Sequence, residues 1–201
     1  MIHFSWTRKN ENRFHIEIKT PVTRIGTLYR LTTAIYIFNF NVISGSIDTI
    51  SENDVLYSLD EFVLETEASL DESAGASNLD GGAHLGALME NLLREEMQPE
   101  KVLEEKGIKP SSGRSFFEAA PELVFQDHPE KNYTEMYIET LGRRGLLYHL
   151  TRILNDEGVN ILRAKIHTHP SGIAEDVFSL EQEGRSLGRD LCSRLEERIR
   201  N

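Results

Sequence analysis

Between Leu146 and about Glu157 the apolar residues fall at positions 146, 147, 150, 153 and 154. That spacing puts them in one stripe of a helix, facing a core. Gly158 supplies a stop. Asn160–Thr168 then alternates, with Leu162, Ala164 and Ile166 on one face and Arg163, Lys165 and His167 on the other. This is the period of a half-buried strand. The turn HPSG leads into a further strand, Ile173–Leu180. A last helix, Leu187–Ile199, repeats Leu187, Leu191, Leu195 and Ile199 every four residues. Upstream, LVFQD and TEMYIET read as two strands joined by the turn-forming DHPEKN, a hairpin.

The first half of the chain reads the same way. His3–Trp6 and Phe14–Lys19 form a hairpin, and a helix runs from Thr27 to Phe38. Strand Val42–Ile50 turns Ile43, Gly45 and Ile47 inward and Ser44, Ser46 and Asp48 outward. Glu61–Glu67 is the next strand. A second helix, Leu85–Met97, carries Leu85, Leu88, Met89, Leu92 and Leu93 on one face, and Pro99 interrupts it. Ser69–Ala83, rich in Ser, Gly, Asp and Ala, is expected to be a mobile loop.

The likeness of the halves is also literal. RIGTLYRLT at Arg24–Thr32 and RRGLLYHLT at Arg143–Thr151 share six of nine residues at an offset of 119. Over Thr20–Thr49 against Glu139–Thr168, nine of thirty positions match without a gap, among them Asn41 with Asn160. A unit of about 80–100 residues is a duplicated domain rather than a solenoid repeat. The expected division is 1–106 for the first domain (with an insert at about 69–83), 107–120 for a linker and 121–201 for the second.

Each domain runs strand, strand, helix, strand, strand, helix. Without its first strand this is β-α-β-β-α, lacking only the last strand of the ferredoxin-like unit. A hairpin strand placed before the first can fill the vacant edge slot. The fold class is therefore α+β: two ferredoxin-like domains, each an antiparallel four-stranded sheet with two helices on one face, in the order ββαββα.

Composition narrows the partners. The net charge of −11 argues against nucleic acid and anionic membrane surfaces, which need clustered Lys and Arg. No apolar run approaches the roughly 18 residues of a membrane span. The N-terminus lacks the long apolar core of a signal peptide. The single cysteine, Cys192, forms no internal disulfide and reads as a small buried or half-buried residue; a cytoplasmic location is expected.

The repeated phrase, with NVISGSIDT, NILRAKIHT and AEDVF downstream, resembles the D-R-x-G-L-L-Y-x-L-T signature of ACT domains, which bind amino acids. It is most similar to the tandem ACT pair ending the bifunctional uridylyltransferase/uridylyl-removing enzymes and to plant ACT-repeat proteins. The family's acidic residue before the Arg is Thr23 in one unit and Gly142 in the other. The resemblance implies a regulatory amino-acid sensor with no catalytic domain, cofactor or metal, with glutamine as a first ligand to try. It also implies a regulated protein partner and a homodimer through ACT–ACT contacts.

The chemistry of the phrase fits a zwitterion. Gly26 and Gly145 stand where a helix begins, and a helix N-terminus attracts a small anion; the alternative is that they only make a tight strand-to-helix turn. Arg24 and Arg143 can pair with a carboxylate; as loop residues near acidic partners they can equally be solvated. By resemblance, Asn41 and Asn160 can offer an amide to a ligand across a domain interface; each can equally be an αL residue after the helix. The ligand is then expected between the Gly26 or Gly145 loop and the Asn41 or Asn160 strand of a facing unit. Thr32 and Thr151 read as helix residues bonding back to their own backbone. His167 and His169 share a strand face but have no third metal ligand near them. Two other functions remain open. One is a ligand-free interaction regulator. The other is an acylphosphatase-like enzyme using Arg24 with Asn41, or Arg143 with Asn160, although the Gly-rich loop such enzymes need is missing.

Overall fold

The computed structural model describes residues 2–21, 24–66, 78–109, 117 and 120–200, with no account of the side chains of 78–80. Strands β1 (His3–Arg8) and β2 (Arg13–Thr20) form the first hairpin. Helix α1 (Thr27–Ile37), strands β3 (Phe40–Glu52) and β4 (Val55–Thr66), and helices α2 (Asn78–Leu93) and α3 (Pro99–Glu105) complete the first half. The second half runs β5 (Glu122–His128), a short 3-10 turn, β6 (Tyr133–Leu141), α4 (Leu146–Asp156), β7 (Asn160–Thr168), β8 (Ile173–Glu181) and α5 (Gly188–Arg200).

All eight strands join in one sheet, in the order β1-β2-β4-β3-β7-β8-β6-β5, and every pairing is antiparallel. Within each half the leading hairpin strand, β1 or β5, lies at the sheet edge in the slot that a final ferredoxin strand would take. One face of the sheet is buried. Phe14, Ile16 and Ile18 of β2, Phe62 and Leu64 of β4, Ala164 and Ile166 of β7, and Phe178 and Leu180 of β8 merge with the apolar stripes of the helices in one core. Burial of such side chains, each worth about 1.5–3 kcal/mol, holds the two layers together.

The halves are related by an internal two-fold axis. At the sheet centre β3 meets β7, and Ser46 pairs with Lys165, its own counterpart in the repeat. Above them, the Thr32 and Thr151 hydroxyls hydrogen-bond at 2.8 Å, again between equivalent residues. Even the irregularities repeat: β3 bulges at Ile43 and β7 at Leu162, positions 119 apart.

Two expectations are corrected. Ser69–Ala83 is not a loop throughout: residues 69–77 lie outside the described residues, and 78–83 already belong to α2, which starts at Asn78 rather than Leu85. The glycines that suggested a loop are there for packing. A Cβ on Gly82 would stand 2.7 Å from the Trp6 ring, and one on Gly86 2.7 Å from the Phe4 ring, so small residues let α2 lie on β1. The β3–β4 hairpin is also longer than expected. Asn53 and Asp54, at φ 51° and 62°, close it as a two-residue turn of the type that matches strand twist. Most of the expected linker, 110–116 with 118 and 119, lies outside the described residues.

Candidate functional site

Gly26 and Gly145 take up the left-handed conformation, φ 83° and 84°, immediately before α1 and α4. An L side chain is disfavoured there, so glycine makes the strand-to-helix elbow. Neither glycine provides a side-chain cap, which leaves the helix start without the usual Ser or Asp acceptor. The elbows do not face open solvent. A Cβ on Gly26 would lie 2.5 Å from Arg30 Nη1 and from Asn155 Oδ1, and one on Gly145 2.7 Å from the Tyr36 ring. Asn155 and Tyr36 end the helix of the opposite half, so each elbow is met across the two-fold axis.

Two related cavities result. The first is lined by Arg24, Gly26, Thr27, Leu28 and Tyr29 of one half and by Thr151, Asn155, Val159 and Asn160 of the other, with Ile47, Ser58 and Asp60 below. The second has Arg143, Gly145, Leu146, Leu147 and Tyr148 against Thr32, Tyr36, Phe40 and Asn41, with Ile166, Ala174 and Asp176 below. Arg24 is thus brought together with Asn160, and Arg143 with Asn41, each pair across the axis. The acylphosphatase-like pairings within one half, Arg24 with Asn41 and Arg143 with Asn160, are not assembled in either cavity.

The polar residues have defined partners. Arg24 Nη2 lies 2.8 Å from Glu95 Oε1, with its side chain about half exposed. Thr27 Oγ1 donates to the Arg24 carbonyl at 2.8 Å and accepts its N–H at 3.2 Å, closing the elbow. Asn160 Nδ2 donates to Glu181 Oε1 at 2.8 Å. The αL position after α1 is taken by Asn39, φ 65°, and its counterpart after α4 is Gly158. Asn41 and Asn160 are therefore strand residues, lining the two cavities from β3 and β7. Thr32 and Thr151 bond back to the carbonyls of Leu28 and Tyr29, and of Leu147 and Tyr148, as expected.

Sequence reasoning missed the buried acids. Asp60 on β4 and Asp176 on β8 are each 1% exposed and occupy equivalent cavity floors, pairing with Ile47 and Ile166. Burial pushes both carboxyls up to about 7. The Ser58 hydroxyl, at 3.0 and 2.9 Å from the two Asp60 oxygens, and the His167 N–H at 3.3 Å from Asp176 only partly offset this. The available signal was an Asp at an inward strand position in SLDEF and AEDVF, where the alternation calls for an apolar residue.

The remaining candidates are quieter. His167 and His169 touch ring to ring, and His169 Nε2 lies 3.2 Å from Glu175. Among the described residues no group of three or more His, Cys, Asp or Glu could hold a metal ion, and no helix is long and apolar enough to cross a membrane. Cys192 is half-buried, and burial pushes its thiol up to about 11.

No family model matches the chain. It is similar to the bifunctional uridylyltransferase/uridylyl-removing enzyme of Haemophilus influenzae, 33% identical over 108 residues, which is 53% of this chain and 12% of that one. The enzyme of the same name from Azospirillum brasilense is 26% identical over 156 residues, 76% of this chain and 16% of its own length. The chain thus spans only a small part of the curated relatives it matches. The chain is also similar to aspartate kinase from Synechocystis, whose crystal structure aligns with 94% of this chain and 26% of its own at a TM-score of 0.44 and 12% identity.

Proposed function

We propose that this ACT-domain chain, similar over part of its length to uridylyltransferase/uridylyl-removing enzymes, is a regulatory module that senses an amino acid between its two halves. The proposed ligand residues are Arg24, Gly26 and Asn160 in one cavity, and Arg143, Gly145 and Asn41 in the other. The proposed units are 1–106 and 121–201, joined by 107–120. The observation that carries this reading is the cavity of about 200 Å³ at Gly26, whose walls come from both halves. A ligand held there touches α1 of one half and β7 of the other. It favours whichever arrangement of the halves closes on it, a shift driven by differential affinity.

The cavity suits a zwitterion. The helix start at Gly26 and the Arg24 guanidinium favour a carboxylate, and an amide such as that of Asn160 both donates and accepts. Calorimetry of the full chain against each of the twenty amino acids at millimolar concentration, glutamine first, tests the reading. Heat with at least one is expected; none with any overturns it. The tightness of the Gly145 cavity, about 20 Å³, favours a second reading for that side, an interaction surface that works without ligand. A partner retained in ligand-free buffer supports that reading.

A further inference from the structure

The two cavities are built from equivalent residues, yet one is ten times larger: about 200 Å³ at Gly26 against about 20 Å³ at Gly145. Four substitutions between equivalent positions run in the direction of the difference. Asn155 at the Gly26 elbow is replaced by Tyr36 at the Gly145 elbow, Val159 by Phe40, Thr27 by Leu146 and Ser58 by Ala174. Each of these four makes the second cavity fuller or less polar, while Ile161 of the first gives way to the smaller Val42 of the second. Tyr36 does most of the filling. Its ring stacks on Tyr148, with centroids 4.7 Å apart and planes within 5°, and it lies against the backbone of Gly145. It cannot swing away without giving up that stack.

The Gly26 cavity has features the other lacks. The longer β3–β4 hairpin brings Leu56 to its rim, where this side chain is 55% exposed. The equivalent position in the second half is Gly172, which brings no side chain to the rim. Leu56 is an apolar surface that a bound molecule would cover. The floor carries Asp60 with Ser58 bonded to it, in a space that reaches the protein surface. An engineered cavity of about 150 Å³ holds benzene, so this one admits a molecule of roughly six to ten non-hydrogen atoms. A second water-sized space at Gly145 has room for about one water.

We infer that the chain takes one amino-acid ligand rather than two, in the Gly26 cavity with its ammonium group on Asp60, while Tyr36 permanently occupies the equivalent cavity at Gly145. This rests on the reading of the cleft as an amino-acid site and adds to it the stoichiometry, the size limit and the residue that recognises the cation. The two charged groups on the ligand's α-carbon face different walls. Its carboxylate faces the helix start and Arg24; its ammonium faces the sheet. A buried carboxylate is costly to ionise alone, and a cation beside it restores a favourable charged state. Selectivity for α-amino over α-hydroxy or deaminated acids therefore resides in Asp60.

The test is calorimetry on the full chain with whichever standard amino acid gives heat, and with the deaminated acid of the same carbon skeleton. The expected results are one ligand per chain and at least tenfold weaker binding of the deaminated acid. Asp60→Asn should weaken the amino acid at least tenfold, and Asp176→Asn by less than threefold. Tyr36→Asn, which gives the second cavity the residue the first already has, should raise the stoichiometry above one. Thermal melts establish that each variant is folded; should Asp60→Asn fail to fold, the deaminated acid tests the same contact in the unaltered chain. Two ligands per chain, or equal binding of the deaminated acid, or loss with Asp176→Asn in place of Asp60→Asn, overturns the inference and leaves the sensor reading standing. Heat from none of the twenty overturns both.

Discussion

The hydroxyls of Thr32 and Thr151 hydrogen-bond to each other at 2.8 Å, although 119 residues separate them. Each also reaches carbonyls of its own helix, so each proton has an alternative acceptor. Replacing either by Val should therefore cost about 1 kcal/mol rather than the larger penalty of an orphaned buried group. The double variant should cost less than the two single costs together, by about 0.5–1 kcal/mol. Urea unfolding of the four proteins measures this; strict additivity would mean that the contact across the axis contributes nothing.

The two glycine elbows should respond unequally to alanine. Both substitutions force a side chain into the left-handed region, at about 1–2 kcal/mol. At Gly26 the new Cβ meets the tips of Arg30 and Asn155, which can move aside; at Gly145 it meets the Tyr36 ring, which its stack on Tyr148 holds in place. Gly145→Ala should lose roughly 3–4 kcal/mol and Gly26→Ala about half of that. Comparing their thermal midpoints decides the order.

Alanine at Gly82 or Gly86 sets two effects against each other. Helix propensity favours alanine by about 1 kcal/mol. Overpacking against Trp6 or Phe4, 2.7 Å away, costs about 1–3 kcal/mol because both neighbours are partly buried aromatic rings packed against the core. The net effect should be destabilising, by about 1 kcal/mol at each site. A rise in the unfolding midpoint for either variant would show that α2 can lift off β1 freely.

Asp60 should make stability depend on pH. Its carboxyl titrates near 7 in the folded chain, against 3.8 for an ordinary Asp. Between those values the folded state holds a proton that the unfolded state has lost. The Asp60 contribution is therefore fully present below about pH 4, falls as pH rises to 7 and is level above, on the order of 4 kcal/mol in all, and Asp176, pushed up equally, acts in the same direction. Asp60→Asn should stabilise the ligand-free chain by roughly 1–3 kcal/mol at pH 8, since the amide still has to be satisfied, and by nothing at pH 4. Denaturant midpoints at the two pH values check this; the same difference at both would rule out titration of Asp60 as its source.

Much of this was legible in the chain itself, and the reasons are local. Leu146, Leu147, Leu150, Ile153 and Leu154 mark α4 by spacing alone, and Asn160–Thr168 marks β7 to the residue. The fixed offset between Arg24 and Arg143 announced the duplication, and so the two related cavities. What stayed hidden depends on distant partners. Gly82 and Gly86 look like loop residues until Trp6 and Phe4 are seen against them. Asn53–Asp54 could turn in several ways until both strands were paired. Asp60 looks like one more acid in an acidic chain, because its alternation with Ser58 and Phe62 matters only once that face is known to be covered.

The internal two-fold axis also bears on dilution. In a true dimer, a cleft built between two copies vanishes when the protein is scarce. Here both walls are tethered on one polypeptide, at an effective concentration in the millimolar range. A cell holding only a few copies of this chain would still have every one of its clefts assembled.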